Sequence, residues 1–259
     1  FLLIISLIYL NQLNLLTLAV VWWLVFFVFI LGFVANFTII LTLKFQFLYA
    51  NKIIKENWII GKWLLLTSLS QWFSGNLWLI NAGLILGPYT FGIIRACQTL
   101  LNVLNIFFQS IENFVPRNAT AKFKVGGIKE MELYLNKFTK KYLFMILLIL
   151  IVIILFSKQL LNLFYGIETA NYNQILIYLS LIIPIHFLQY PLNYSFRTLG
   201  KTKPIFIAYL FSAIFALLTS KFIISYFEIN GLLFGLCLSQ IIIITILYYN
   251  NHLLKKKIK

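Results

Sequence analysis

Arg95, Gln98, Asn102, Asn105, Gln109 and Glu112 recur at intervals of 3, 4, 3, 4 and 3 within an otherwise apolar run. That spacing puts all of them on one face of a helix. If the helix spans a membrane, its arginine costs about 3 kcal/mol on insertion scales, so the stripe should face a wet cavity or a partner instead of lipid. The competing reading is interhelical hydrogen bonding that holds a bundle together, with Arg95 snorkelling to one surface and Glu112 to the other.

Two further stripes resemble the first. Thr67, Gln71, Ser74 and Asn81 share a face at intervals of 4, 3 and 7, although Thr and Ser also serve simply to let helices pack closely. His186, Gln189, Asn193 and Arg197 follow at 3, 4 and 4, in a segment interrupted by Pro184 and Pro191, which should kink or open it. His186 is either a hydrogen-bonded bundle residue or a proton-sensitive one, and Arg197 suits a topology determinant at the inner surface.

Bond-making chemistry finds no such set. The sequence has no Asp, and its Glu residues are Glu56, Glu112, Glu130, Glu132, Glu168 and Glu228, mostly in connections, so paired-carboxylate catalysis is unsupported. Gly126-Gly127 lacks the GK[ST] of a phosphate-binding loop. Cys97 and Cys237 lie in apolar runs with no second Cys or His at ligand spacing, which argues against a zinc site or a structural disulfide. No catalytic residue, metal or cofactor is expected.

The elements that must carry these stripes follow from composition. Apolar residues make up 62% of the chain and charged ones 10%, against about 25% charged in soluble domains. Runs such as 142–156 are too long and lack the alternation of barrel strands, so the expected fold is all-α, a polytopic transmembrane helix bundle. Hydropathy gives a truncated helix at 1–10 and spans at 15–43, 60–84, 89–115, 142–163, 174–196, 205–226 and 231–251, about seven full spans. The chain opens without Met in the middle of an apolar run, which reads as a fragment lacking its N-terminal part.

Eighteen of the 21 basic residues fall in alternate connections: Lys44 to Lys62, Arg117 to Lys141, Arg197 to Lys203 and Lys255 to Lys259. By the positive-inside rule that side is cytoplasmic, and the C-terminus lies on it. The net charge of +15 therefore reflects orientation and not nucleic-acid binding. Residues 117–141 read as a basic stretch lying along the inner membrane surface, or as a solvated loop. The tryptophans cluster in the second and third spans, some as headgroup anchors and those in mid-span as packing residues.

The run NWIIGKWLLLTSLSQWFSGNLWLINAGLILGPYTFGIIRACQTLLNVLNIFFQSIENFVPR resembles the start of the second six-helix lobe of bacterial polysaccharide flippases, in the multidrug, oligosaccharidyl-lipid and polysaccharide exporter superfamily. LLNLFYG and LGKTKP resemble that family's outer-loop and inner-loop patterns, and the likeness extends over most of residues 57–255. It implies that 1–56 ends a first lobe and carries the cytoplasmic linker, and that 57–259 forms the second, C-terminal lobe of a two-lobed transporter. The implied activity is alternating-access flipping of an undecaprenyl-diphosphate-linked oligosaccharide, such as an O-antigen or capsule unit, across the bacterial cytoplasmic membrane.

On that resemblance Arg95 matches a cavity cation suited to a diphosphate, while Gln98, Asn102, Asn105 and Gln109 suit sugar hydroxyls. Glu112, Gln71, His186, Gln189 and Asn193 complete the expected cavity. The expected partners are the lipid-linked oligosaccharide and membrane lipids, with room for a coupling proton or sodium ion and for glycan-assembly proteins. A drug exporter of the same superfamily is the nearest alternative, but it should carry an embedded acid in a more apolar cavity, and Glu112 alone qualifies here. A membrane enzyme of glycan assembly ranks lower because the outer connections are short, and a structural subunit without transport of its own remains a third reading.

Overall fold

The structure is a computed structural model that describes residues 20, 23–34 and 47–258. The expected helix at 1–10 and parts of the 15–43 span lie outside them. The chain divides into two compact units, Phe1–Glu56 and Asn57–Lys259. Within the first, Trp23–Val34 (α1) is an apolar helix whose side chains are exposed along its length.

The second unit is built from Asn57–Leu101 (α2), Val103–Leu155 (α3), Ser157–Tyr165 (α4), Ile167–Ala170 (α5), Asn173–Phe187 (α6), Gln189–Thr198 (α7) and Lys203–Ile258 (α8). Among the described residues there is no strand, and the fold is an all-α bundle with helices long and apolar enough to cross a membrane.

Three of the long helical runs are hairpins. Gly75 and Asn105 line one cavity, although a straight helix would hold them about 45 Å apart, so the chain folds back between them. The reversal is at Gly87 (φ 84, ψ 167), where only a residue without Cβ sits comfortably, and Pro88 starts the next leg. Likewise Val115 and Ala119 pack with Met131 and Leu135 around the reversal at Gly126-Gly127, and Ile205 and Tyr209 pack with Ile243 and Leu247 around Glu228. The spanning legs are therefore 57–86, 88–125, 128–155, α6 with α7, 203–227 and 229–258.

The 88–125 and 128–155 legs correct the reading of residues 117–141. That segment neither lies along a surface nor forms a loop: it is the end of a helical hairpin whose legs pack through Met131, Leu135 and Phe138. The 88–125 leg is about 57 Å long, whereas the hydrocarbon layer is about 30 Å thick, so the basic tip projects into water. Hydropathy stopped the spans where lysines begin, but helix propensity and an apolar seam continue past that point.

Small polar contacts fix the remaining legs. Trp78, fully buried, donates its indole N–H to Ser239 Oγ at 3.0 Å and packs its ring against Gly235. Ser74 shares a hydrogen bond with Ser212, and Asn81 donates to Ser220 at 2.7 Å. Two stripe residues of the third span thus join the 57–86 leg to the 203–227 leg. Opposite faces carry exposed Leu147, Ile151, Leu217 and Phe222, which suit lipid contact. At the basic end Trp63 lies beneath the ammonium groups of Lys62 and Lys203, at 5.6 and 5.5 Å, an arrangement suited to headgroup depth.

Candidate functional site

The stripe beginning at Arg95 runs along the 88–125 leg and bends slightly at Asn102. There the helix tightens: Asn102 N–H is shared between the Gln98 and Thr99 carbonyls, and Asn105 N–H bonds the Asn102 carbonyl three residues back. Asn102 keeps helical dihedrals (φ −64, ψ −17), so the face continues through the break.

Arg95, Gln98, Asn102 and Asn105 line one open cavity of about 370 Å³, together with Asn76 and His186. Their hydrogen bonds stay within the leg. Arg95 Nη1 donates to Gln98 Oε1 at 3.3 Å, and Asn105 Nδ2 donates to Asn102 Oδ1 at 2.9 Å. The guanidinium also lies 5.2 Å from the Phe91 ring, and among the described residues it pairs with no carboxylate. A cation held by an amide and an aromatic face keeps most of its donors for a ligand.

Glu112 and Gln71 open instead on a second, smaller cavity of about 110 Å³, with Gln189, Asn193 and Arg197. Glu112 is spoken for: its Oε1 accepts from Arg197 Nη1 at 2.8 Å. Asn193 Oδ1 and Tyr194 Oη are buried with no hydrogen-bond partner among the described residues, and a polar cavity of this size commonly holds bridging water. His186 borders both cavities. Gln109 is exposed and lines neither.

The stripe from His186 to Arg197 behaves differently from the first. The helix breaks at Leu188, between the two prolines, where Pro191 cannot donate to the Phe187 carbonyl. His186 Nδ1 lies 3.1 Å from Gln240 Oε1, which also accepts from Gln189 Nε2, and Tyr209 Oη donates to Gln189 Oε1 at 3.0 Å. These residues bind helices to one another. Gln240 and Tyr209 were missed by sequence reasoning, since neither belongs to an extended polar stripe of the kind that marks the other helices.

The larger cavity offers anion and hydroxyl recognition, and Glu112 and His186 both border the smaller one. Among the described residues no group of three His, Cys, Asp or Glu side chains stands together. Residues 64–222, well over half of the chain, match the MatE family. The chain belongs to the MatE family. MatE proteins are transporters of the multidrug, oligosaccharidyl-lipid and polysaccharide exporter superfamily, the superfamily that the sequence resemblance implied. The MatE match includes the whole Arg95 stripe, α6 and α7, and leaves Gln240 outside. No curated protein and no solved structure matches the chain significantly.

Proposed function

We propose that this transporter flips an undecaprenyl-diphosphate-linked oligosaccharide from the cytoplasmic to the outer leaflet of a bacterial inner membrane. The observation that carries the reading is the Arg95 cavity: a cation with no carboxylate partner among the described residues, set in a row of amides on one open face. A diphosphate needs charge-assisted donors in a low-dielectric path, and sugar hydroxyls need groups that both donate and accept. Exporters of cationic drugs call for a free acid in the cavity, and Glu112 is bound to Arg197 in the other one.

In this scheme Arg95 holds the diphosphate while Gln98, Asn102 and Asn105 exchange hydrogen bonds with the sugars. Residues 57–259 form the second lobe, and a first lobe supplies the facing half of the cavity. The basic ends of the legs, with the C-terminus, lie in the cytoplasm. Arg95→Ala in the intact protein should leave membrane insertion unchanged and abolish glycan export in a complementation assay. Full export by a well-expressed Arg95→Ala protein removes Arg95 from the site.

A further inference from the structure

The ammonium groups of Lys62 and Lys203, far apart in the chain, reach one indole ring from two different legs. Lys62 Nζ lies 5.6 Å from the Trp63 ring centre and Lys203 Nζ lies 5.5 Å from it. The ring itself bridges the legs, packing against Phe206 with centroids 5.6 Å apart. Lys62, Trp63 and Phe206 are half-buried and Lys203 is exposed, so the cluster stands at the surface where the 57–86 and 203–227 legs meet.

Two like charges drawn to one ring repel each other, and the ring offsets only part of that repulsion. Among the described residues neither lysine pairs with a carboxylate. Lys203 also opens its helix, just after the turn at Gly200 (φ 68), so the positive end of the helix dipole adds to the same field. An anion seated between the two ammonium groups answers all three.

Depth in the membrane selects which anion. The cluster belongs to the basic end, where the legs leave the hydrocarbon. One turn deeper than Trp63, Leu66 is exposed on the first leg, and two turns deeper than Phe206, Ile214 is exposed on the second. A phosphate held at the lysines therefore has apolar surface beneath it, which the acyl chains of a phospholipid cover and a free phosphate leaves to other molecules. Choline headgroups carry their own cation, which two ammonium groups repel, so the headgroup that fits has an uncompensated phosphate.

We propose that Lys62 and Lys203 hold the phosphodiester of one anionic phospholipid against Trp63, joining the 57–86 and 203–227 legs at the basic end, with its chains along Leu66 and Ile214. Neither lysine nor either ring lines the two cavities, so this lipid is independent of the cargo proposed above. Lys140 and Lys141 on the 128–155 leg make the contrast. They stand just above exposed Phe144, but both come from one leg, and Lys141 lies over the ring of its own neighbour Tyr142 at 5.8 Å.

The test titrates the full-length protein in detergent with dioleoylphosphatidylglycerol, dioleoylphosphatidylcholine or inorganic phosphate. Native mass spectrometry reads the lipid retained, and thermal unfolding reads its effect on the fold. Phosphatidylglycerol should be retained and raise the unfolding midpoint, while phosphatidylcholine and inorganic phosphate should do neither. Lys62→Gln combined with Lys203→Gln should weaken phosphatidylglycerol binding by roughly tenfold or more. Lys203→Gln alone, at an exposed position that threatens no packing, should weaken it in the same direction. Lys140→Gln combined with Lys141→Gln removes the same charge and should weaken it by less than about threefold.

Equal losses in the two double variants would reduce the effect to general surface charge and overturn the site. Unchanged binding in Lys203→Gln and in the Lys62–Lys203 double variant overturns it too, as does equal retention of phosphatidylcholine by the wild-type protein. Stabilisation by inorganic phosphate as strong as by phosphatidylglycerol would make this a free-phosphate site and end the case for a lipid.

Discussion

Arg197 and Glu112 meet at 2.8 Å across the end of the smaller cavity and join α7 to the 88–125 leg. With side chains 37% and 44% exposed, the pair sits where water screens it, so its coupling should stay below about 1 kcal/mol. A double-mutant cycle on detergent-solubilised protein, from Glu112→Gln, Arg197→Gln and the pair, checks this. Coupling of several kcal/mol would instead mean that the pair is sealed from water in the assembled protein.

Trp78 and Gly235 make the opposite case, a contact with no slack. A methyl group at 235 would overlap the indole ring, and the ring is pinned by its bond to Ser239. Gly235→Ala should cost about 1–3 kcal/mol by overpacking. Combining it with Trp78→Phe should recover part of the loss, because the smaller ring leaves room. Thermal unfolding in detergent reads both variants, and an unchanged midpoint for Gly235→Ala would show that the indole moves aside freely.

The periodicity of the stripes was legible in the sequence, and so was the all-helical fold, because both follow from spacing and composition. Their separate roles were not. Arg95 to Asn105 and His186 to Asn193 repeat at the same intervals, yet the first set bonds within its own leg beside a cavity and the second bonds to Gln240 and Tyr209 on two other legs. Which partner a polar face meets is set by residues far away in the chain. The basic hairpin tip was missed for a related reason: charge marks where hydrocarbon ends, while the helix at Lys122 and Lys124 continues because Val115, Ala119 and Met131 still have a seam to bury.

That difference in role gives a third expectation. Gln240→Leu deprives His186 and Gln189 of their shared acceptor and should cost about 0.6–2 kcal/mol, the range for polar bonds between membrane helices. Gln109→Leu, on an exposed face outside both cavities, should change stability by less than about 0.5 kcal/mol. Equal effects in the same unfolding assay would deny Gln240 its role as a tie.

The orientation can be read at the two ends of the 88–125 leg. Val125, 85% exposed, stands beside the reversal at Gly126-Gly127, and Tyr89, also exposed, follows the reversal at Gly87. The leg is far longer than the hydrocarbon layer, so the two positions must face different compartments. If the basic end is cytoplasmic, Tyr89→Cys reacts with a membrane-impermeant maleimide in intact cells, and Val125→Cys reacts only once the membrane is opened. Cys97 is buried, and replacing Cys237 by Ser removes the other native thiol from the background. The reverse labelling pattern would invert the topology, placing the lysines outside and sending the proposed cargo the wrong way. Labelling of both sites in intact cells would mean that the hairpin does not span, and the bundle would have to be reassigned.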